Sequence, residues 1–294
     1  MRSDFQTSPW GRLVRSPLGA LSLVTLVLVI CAALIGPLIY AIDPTTPDFG
    51  AINAAPGLFH PLGTDRLGRD TLARLLAGLR ISLLVAVVVE AINIVVGASL
   101  GLLAGFFGGW ADALISRLAD MLFAFPGLLL AILVAAVFGA WVTENYGATA
   151  RLLLVVISLA LVGWPLMARY VRGQVLGLRQ RDFVLAARAL GQRDLGILRL
   201  HILPNITGLV ITAATLDVVN VIVGEATLSL LGLGIQPPST SIGKMIVEGA
   251  PLLAQNGMLV VAPAITLTIL VLLFSFLGDA LRDAFDPTRG IAGG

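Results

Sequence analysis

Long runs of apolar residues follow one another along this chain and are separated by shorter polar stretches. Six runs reach the roughly 20 residues that a helix needs to cross a bilayer. They are approximately Leu18–Ile42, Ile81–Phe107, Leu114–Phe138, Leu152–Val171, Ile206–Leu233 and Met258–Leu277. Three runs contain a proline (Pro126, Pro165 and Pro263), which kinks a spanning helix and is tolerated where neighbouring helices satisfy the freed backbone groups. The pattern predicts an all-α membrane protein with six transmembrane helices packed in a bundle.

The composition agrees with this class. The 294 residues are 57% hydrophobic and 12% charged, whereas soluble domains are about 45–50% apolar and about 25% charged. The first apolar run is longer than the 7–15 residues of a signal-peptide core, so we expect it to stay as a helix. The net charge of +2 gives no indication of nucleic-acid binding. The lone Cys31 excludes an intramolecular disulfide, and His60 and His201 are too far apart in sequence to suggest a metal cluster.

The placement of the basic residues predicts the orientation. With the N-terminus in the cytoplasm, thirteen arginines fall on the inside and six basic residues fall outside, which favours cytoplasmic N- and C-termini. Four arginines between positions 66 and 80 stand on the disfavoured side, where Asp65 and Asp70 partly offset them. The predicted organisation is a cytoplasmic segment 1–17, a first span 18–42, an extracytoplasmic loop 43–80, a core 81–281 and a cytoplasmic tail 282–294.

Two segments outside the apolar runs have helical patterns. Residues Thr64–Leu79 read as an amphipathic helix on the membrane surface, capped by Thr64 or Asp65. A later loop contains a short helical segment, Ile242–Leu253. Both could be ordinary exposed loops, and their semi-apolar character favours helices that lie at the outer mouth of a pore.

The second run combines polar and small residues on one side. Glu90 and Asn93 lie within about 120° of a ridge of three glycines, Gly97, Gly101 and Gly105. Small residues at this spacing permit close contact between membrane helices. Glu90 is either hydrogen-bonded inside the bundle or exposed to a translocation pathway.

The fifth run carries the clearest polar stripe. Asp217 and Asn220 share an arc of about 80° with Gly224 and Thr227, and Glu225 lies at its flank. Polar residues inside a membrane are costly unless they face water or partners. The stripe is therefore a candidate lining for a pathway, and a buried polar network is the alternative. On the third run, Asp112, Ser116 and Asp120 are spaced for local pairing with Arg117.

The sequence contains no recognisable catalytic constellation and no P-loop. The one lysine, Lys244, is followed by methionine and falls outside on this topology. We therefore expect no cofactor in this chain, and any ATP-derived energy has to come from a partner.

The segment 179–205 is the most charged stretch between two apolar runs and contains five arginines. Asp182 can cap a helix over Phe183–Leu190, and Gly191 can supply its left-handed C′ residue. Arg188 lies in the last turn, where the helix dipole favours cations. The apolar face consists of Phe183, Ala186, Ala187 and Leu190. This pattern by itself fits a solvated loop helix and a docking helix about equally.

The same segment resembles the EAA loop of ABC-importer permeases. That pattern is E-A-A, three residues, glycine, nine residues and a hydrophobic-x-Leu-Pro ending. Here Leu185-Ala186-Ala187 is followed by Gly191 and then by H-I-L-P from His201 through Leu203 to Pro204. The family's glutamate is replaced by Leu185, so the resemblance does not extend to any ion pair that the glutamate makes with the ATPase.

Three further motifs narrow the resemblance to dipeptide/oligopeptide/nickel permeases. L-G-T-D-R-L-G-R-D at 62–70 is similar to their G-T-D-x-x-G-R-D signature. G-E-A-T-L-S-L-L-G-L-G-I-Q-P-P at 224–238 is similar to E-x-x-L-S-F-L-G-L-G-x-Q-P-P. G-D-A-L-R-D-A-F-D-P at 278–287 is similar to their G-D-x-L-R-D-x-x-D-P ending. These motifs and the short first loop resemble the second, C-type permease subunit.

The resemblance implies a type I ABC-importer permease with a cytoplasmic EAA coupling helix. It implies a related second permease, two cytoplasmic ATPases that bind ATP and Mg, an extracytoplasmic solute-binding protein and a bacterial or archaeal cytoplasmic membrane. The implied ATPase-coupling residues are Asp182, Phe183, Leu185, Ala186, Ala187, Arg188, Leu190, Gly191, His201, Leu203 and Pro204.

The cargo and two other classes of protein stay open at this stage. The resemblance implies di- or oligopeptides, with nickel chelates, glutathione or opines as alternatives. An ion-coupled transporter could use Glu90, Asp217 and Glu225 as a relay, although no inverted repeat is evident. A membrane enzyme is disfavoured by the missing catalytic set.

Overall fold

The computed structural model describes residues 8–285, and the helices there account for the whole architecture. Arg2, Arg289 and the Asp286-Pro287 end of the last motif lie outside this range. The ten helices are α1 (Pro9–Arg15), α2 (Pro17–Ile39), α3 (Thr71–Phe107), α4 (Gly109–Phe123), α5 (Gly127–Tyr146), α6 (Arg151–Leu178), α7 (Asp182–Ala189), α8 (Asp194–Leu230), α9 (Ile242–Gly249) and α10 (Met258–Phe285). Single π-helical turns interrupt α3 at Asn93–Ala98 and α8 at Leu198–Ile202.

Six of these helices are long and apolar enough to cross a membrane, namely α2, α3, α5, α6, α8 and α10. This confirms the predicted number, but the third predicted run, Leu114–Phe138, is wrong as one span. The chain breaks between α4 and α5 at Pro126, whose ψ of 119° is not helical. Proline disfavours a helical residue before it, so the apolar run divides there. Only α5 remains long enough to span, and α4 is a separate amphipathic helix.

The segment predicted as an independent surface helix, Thr64–Leu79, belongs partly to a span. The helix begins at Thr71, and the carboxylate of Asp70 caps it by accepting a hydrogen bond from the amide of Ala73 at 2.7 Å. The proposed caps Thr64 and Asp65 lie in the preceding loop. The apolar pattern placed the start of the span at Ile81, because polar residues precede it. Arg74, one of these residues, is buried and paired with carboxylates, so the helix begins earlier. The other predicted short helix, Ile242–Leu253, corresponds to α9 and a 3₁₀ turn at Ala250–Leu252.

The predicted glycine ridge of α3 contacts α6. A Cβ atom built on Gly97 would lie 2.6 Å from the carbonyl oxygen of Trp164, and one on Gly101 would lie 2.5 Å from that of Ala168. Gly105 is similarly close to Val175. Glycine at these positions lets the two backbones approach, which confirms the close contact expected from the spacing.

We expect Gly101→Ala to destabilise the folded chain by about 1–3 kcal/mol, the usual cost of overpacking. Chemical unfolding in mixed micelles measures the change. Gly173→Ala is the matched control on α6, because nothing lies within 4 Å of a Cβ atom there. The control should be neutral or slightly stabilising. Equal effects of the two substitutions would contradict the close-contact explanation.

The bundle has two ends. We call the end with α1 and α7 the coupling end, and the end with residues 40–70 and 231–257 the loop end. The predicted pairing of α4 acids with Arg117 is wrong. Asp112 binds Arg172 at 2.5 Å and Asp120 binds Arg169 at 2.8 Å, both on α6. The hydrogen bond from Arg172 lowers the pKa of Asp112 from its usual value. The two ion pairs thus attach α4 to α6.

The loop end is held together by ion pairs, which we call the loop-end cluster (Asp65, Arg69, Arg74 and Glu248). Buried Arg74 binds the carboxylate of Asp65 and, at 2.5 Å, that of Glu248 on α9. Arg69 donates to Asp65 at 2.7 Å through Nε. Two of the four arginines that weakened the predicted orientation are therefore neutralised by carboxylates.

A second carboxylate of the same loop links α2 to α3. Asp70 accepts hydrogen bonds from Tyr40 at 2.9 Å and contacts Nδ1 of His60 at 2.8 Å. Burial and this neighbouring carboxylate raise the pKa of Tyr40 to about 12. The first half of the loop is thereby fixed against the start of α3.

Candidate translocation pathway and coupling surface

The polar stripe of α8 lies along open space in the bundle. Asp217 is partly exposed and accepts a hydrogen bond at Oδ1 from the side-chain amide of Asn220 at 2.9 Å. A cavity of about 440 Å³ lies on one side of this pair, between α4, α5, α6 and α8. A second cavity, of about 270 Å³, lies on the other side, between α6, α8 and α10. Asp217, Asn220 and Leu166 line both cavities.

The two cavities differ in polarity. The larger is lined mainly by apolar side chains, including Phe123, Phe125 and Leu128, and Asp217 is the one charged residue in its lining among the described residues. The smaller cavity adds Tyr170 and Arg282 to its wall. An apolar space with a few polar groups is the usual character of a small-molecule site.

Glu90 and Asn93 lie behind Asp217 rather than in the cavity lining. The side-chain amide of Asn93 is 3.4 Å from Glu90 and 3.4 Å from Asp217, so it bridges the two carboxylates. Both residues are almost completely buried. Gly163 on α6 leaves the room that the amide of Asn93 occupies. The structure therefore brings together four of the five pathway candidates, with Asp217 and Asn220 at the cavity surface and Glu90 and Asn93 behind them.

Glu225 is placed elsewhere. Its carboxylate is enclosed near the loop end and accepts hydrogen bonds from Ser229 at 2.8 Å and Ser82 at 3.2 Å. Ser82 also accepts from the backbone of Ile242 at the start of α9. Glu225 lines neither cavity and instead links α3, α8 and α9. The sequence pattern placed it at the flank of the stripe but could not tell which side the flank faced.

At the coupling end, α7 spans Asp182–Ala189, one residue earlier than expected. Asp182 is its first residue rather than its N-cap, a position held by Arg181 without a side-chain hydrogen bond. The chain leaves the helix through Leu190 and Gly191, whose φ of 81° is the left-handed conformation expected for a C′ glycine. The acidic Asp182 in the first turn and Arg188 in the last both complement the helix dipole.

The inward face of α7 differs from the predicted apolar face. Val184 and Ala187 are buried against a cluster that includes Phe106, Ile197 and Ile202. Phe183, Leu185 and Ala186 are exposed, as is Leu190, whose relative exposure is 88%. Ala187 is therefore committed to packing within this chain, while its neighbour Ala186 faces outward. Val184 and Ala187 are three residues apart and so share the buried face of α7. The adjacent alanines had suggested a face built on Ala186 and Ala187 instead.

The rest of the segment returns to the bundle. His201 lies 3.0 Å from the side-chain oxygen of Gln192, and its ring contacts that of Phe183 at 6.3 Å between centroids. Leu203 and Pro204 are exposed where α8 resumes regular geometry after the π turn. These contacts hold the first turns of α8 beside α7.

An open groove of about 720 Å³ lies beside α7. Its lining consists of Phe106, Phe107, Arg179, Gln180, Leu185, Arg188 and Asp194. Arg179 donates to the backbone oxygen of Gly105 at 3.1 Å and so ties the start of the segment to the end of α3. Phe106 and Phe107 were not predicted as part of this surface, since they read as the end of an apolar run. The groove therefore exposes apolar and charged groups side by side at the coupling end.

Two models of known protein families match this sequence. A family model described as "Binding-protein-dependent transport system inner membrane component" matches residues 97–290. A second, described as "N-terminal TM domain of oligopeptide transport permease C", matches residues 6–56. Together they cover the segment 179–205, the residues that line both cavities, and the first span.

Curated relatives extend over nearly the whole chain. The oligopeptide transport system permease protein OppC of Mycobacterium tuberculosis (strain H37Rv) is 35% identical over 94% of this chain and 92% of its own length. The glutathione transport system permease protein GsiD of Escherichia coli O6:K15:H31 is 39% identical over 95% of this chain and 89% of its own length. GsiD of Pectobacterium atrosepticum is 39% identical over 82% of this chain and 76% of its own length.

A solved structure shares the fold. The chain resembles an inward-facing structure of the MetNI methionine ABC transporter, with a TM-score of 0.57 at 22% identity, over 72% of this chain and 96% of the other. The family match covers more than half of the chain, and the identities above hold over most of both sequences. The chain therefore belongs to the family of ABC-importer permeases described as binding-protein-dependent transport system inner membrane components.

Proposed function

We propose that this chain forms half of a heterodimeric pore that imports di- or oligopeptides at the expense of ATP. The observation that carries the proposal is the polar pair Asp217 and Asn220, which lines two cavities inside a bundle of spanning helices. The related OppC and GsiD proteins support peptide-like cargo, because their names specify oligopeptides and glutathione. Glutathione is therefore the second cargo to test.

The partners follow from the two ends of the bundle. A related permease provides the other half of the pore, and two ATPases that bind ATP and Mg dock on the groove and the exposed face of α7. A solute-binding protein delivers cargo at the loop end. The excess of arginines at the coupling end supports a cytoplasmic location for that end and for both termini, in a bacterial or archaeal cell.

The mechanism we propose is alternating access. Closure of the ATPases on ATP moves α7 of each permease toward the other. Because α7 packs through Val184 and Ala187 on the cluster that joins α3, α6 and α8, its displacement carries the helices that line the cavities. Rigid-body motion of packed helices converts the displacement into opening at the other end.

Cysteines at position 217 or 220 test the pathway. In the assembled importer, Asp217→Cys and Asn220→Cys should react with a water-soluble thiol reagent, and the rate should change between the nucleotide-free and ATP-bound states. Ser158→Cys is the matched control, since Ser158 on α6 is completely buried and should stay unreactive. Protection of positions 217 and 220 in every state would contradict the pathway.

The cargo needs a separate measurement. Uptake into proteoliposomes with the cognate solute-binding protein should be driven by ATP for a di- or tripeptide. ATP-driven uptake of glutathione without uptake of either peptide would replace the first cargo assignment by the second.

A further inference from the structure

Glu90, Asn93 and Asp217 meet near the middle of α3 and α8, and we call these three residues the acidic wall. Asp217 stands at the cavity surface, with Asn93 and Glu90 behind it. Glu90 is 5% exposed and Asn93 is 1% exposed. A group that enters from the cavity therefore reaches Asp217 first.

The acidic wall contains more hydrogen-bond acceptors than donors. Glu90 Oε1 and Asn93 Oδ1 are buried and have no hydrogen-bond partner. The amide nitrogen of Asn93 is shared between the two carboxylates at 3.4 Å each, and Asn220 donates one further bond to Asp217. Buried acceptors in proteins are almost always paired. Glu90 Oε1 and Asn93 Oδ1 are therefore acceptors that no described residue satisfies.

No cation of the described residues pairs with the acidic wall. Within residues 8–285, no arginine, lysine or histidine nitrogen comes within 4.0 Å of the carboxylates of Glu90 and Asp217. Arg282 lines the smaller cavity but makes no ion pair with Asp217, and the described lining of the larger cavity has no cation. Carboxylates inside a membrane protein are normally paired or hydrogen-bonded, because an isolated buried charge is costly.

We propose that the acidic wall is a binding site for a primary ammonium group, and that this group is the protonated amino group of the cargo in transit. An ammonium group has three donors and no acceptor, which matches a site rich in acceptors. Its charge interacts strongly with carboxylates where water is scarce. The inference rests on the proposed function, because it assigns a chemical preference to the same pathway.

Protection of a reporter cysteine tests the site without knowledge of the natural cargo. Leu166→Cys is a suitable reporter because Leu166 lines both cavities and lies outside the acidic wall. The assembled importer is used in nanodiscs, with Cys31→Ser and with partner subunits free of reactive cysteines. The rate of alkylation by the neutral reagent N-ethylmaleimide is measured against increasing alaninamide. N-acetylalaninamide provides the same skeleton without the charge, and sodium chloride provides a free cation.

We expect alaninamide to slow alkylation and the two comparison solutes to have little effect. Asp217→Asn and Glu90→Gln should each weaken the protection about tenfold, the factor that follows from losing one charge-assisted hydrogen bond. Glu144→Gln is the matched control, because Glu144 is exposed on α5 and lines neither cavity. Unchanged ATPase co-purification verifies that the variants are folded.

Each of the other outcomes contradicts a specific part of the proposal. Equal protection by sodium chloride would assign the site to a free cation rather than to a cargo amine. Equal protection by N-acetylalaninamide, or full protection in Asp217→Asn, would refute the charge recognition. Absence of protection with normal alkylation would refute the site and leave the proposed function standing. Failure of the reporter to react in any nucleotide state would refute both.

Discussion

Replacement of Arg74 by methionine is expected to destabilise the folded chain by about 3–5 kcal/mol, the usual result of breaking a buried ion pair from one side. The guanidinium of Arg74 lies between the carboxylates of Asp65 and Glu248, and it donates to both. Methionine fills much of the same space but removes the cation that is most deeply buried between the two carboxylates. Arg69 remains 2.7 Å from Asp65 and 3.4 Å from Glu248, so the loss should lie at the lower end of this range. Chemical unfolding in mixed micelles measures the loss.

Arg80→Met is the matched control for this substitution. Arg80 lies on the same helix, is exposed and takes part in no ion pair within 4.0 Å in the described part of the chain. Its removal should change the free energy of unfolding by less than about 0.5 kcal/mol, as for most surface substitutions. A second variant, Arg74→Met combined with Asp65→Asn and Glu248→Gln, should recover part of the stability. Equal losses in Arg74→Met and Arg80→Met would show that the cluster contributes nothing specific.

The loop-end cluster also marks a limit of what sequence can predict. The lengths of the apolar runs predicted the correct number of spans, because each span has a nearly continuous apolar surface that faces lipid or neighbouring helices. The apolar pattern failed where polar residues enter a helix, as at Arg74, since their pairing depends on Glu248, which is distant in sequence. The same holds for α4, where Arg169 and Arg172 on α6 bind the acids that local spacing assigned to Arg117.

The sequence predicted one part of the candidate site, the stripe on α8, but not its contact with Glu90 and Asn93 on α3. The stripe of Asp217 and Asn220 follows from helical geometry, because a single helix fixes which residues share a face. Glu90 and Asn93 join Asp217 only through contact between α3 and α8, and no pattern within either helix specifies that contact. Glu225 is an acidic residue on the same helix as Asp217, yet Ser82 and Ser229 donate hydrogen bonds to it inside the bundle. The sequence pattern thus located polar positions, and tertiary packing divided them between a pathway and a structural network.

The two adjacent alanines of α7 are expected to respond differently to the same substitution, because only one of them is buried. Ala186→Arg should leave the permease folded, because Ala186 is exposed, and should reduce ATP-driven transport at least about tenfold if α7 docks on an ATPase. A long charged side chain at the centre of a closely packed interface costs several-fold to many-fold in affinity. Ala187→Arg should instead destabilise the chain, because Ala187 packs beside Val184 in the buried cluster. An inserted arginine there cannot be paired without moving α7.

Two measurements distinguish these effects. The first is the amount of ATPase that co-purifies with each variant, and the second is the free energy of unfolding of the isolated permease. We expect Ala186→Arg to lose bound ATPase at near-normal stability, and Ala187→Arg to lose both. Ala148→Arg, at the loop end, controls for a surplus arginine, since its half-buried position lies far from α7 along the bundle. Normal ATPase binding and transport in Ala186→Arg would exclude the outward face of α7 from the interface. The coupling would then have to pass through the groove of Phe106, Arg179 and Leu185, where Leu185→Arg gives the corresponding test.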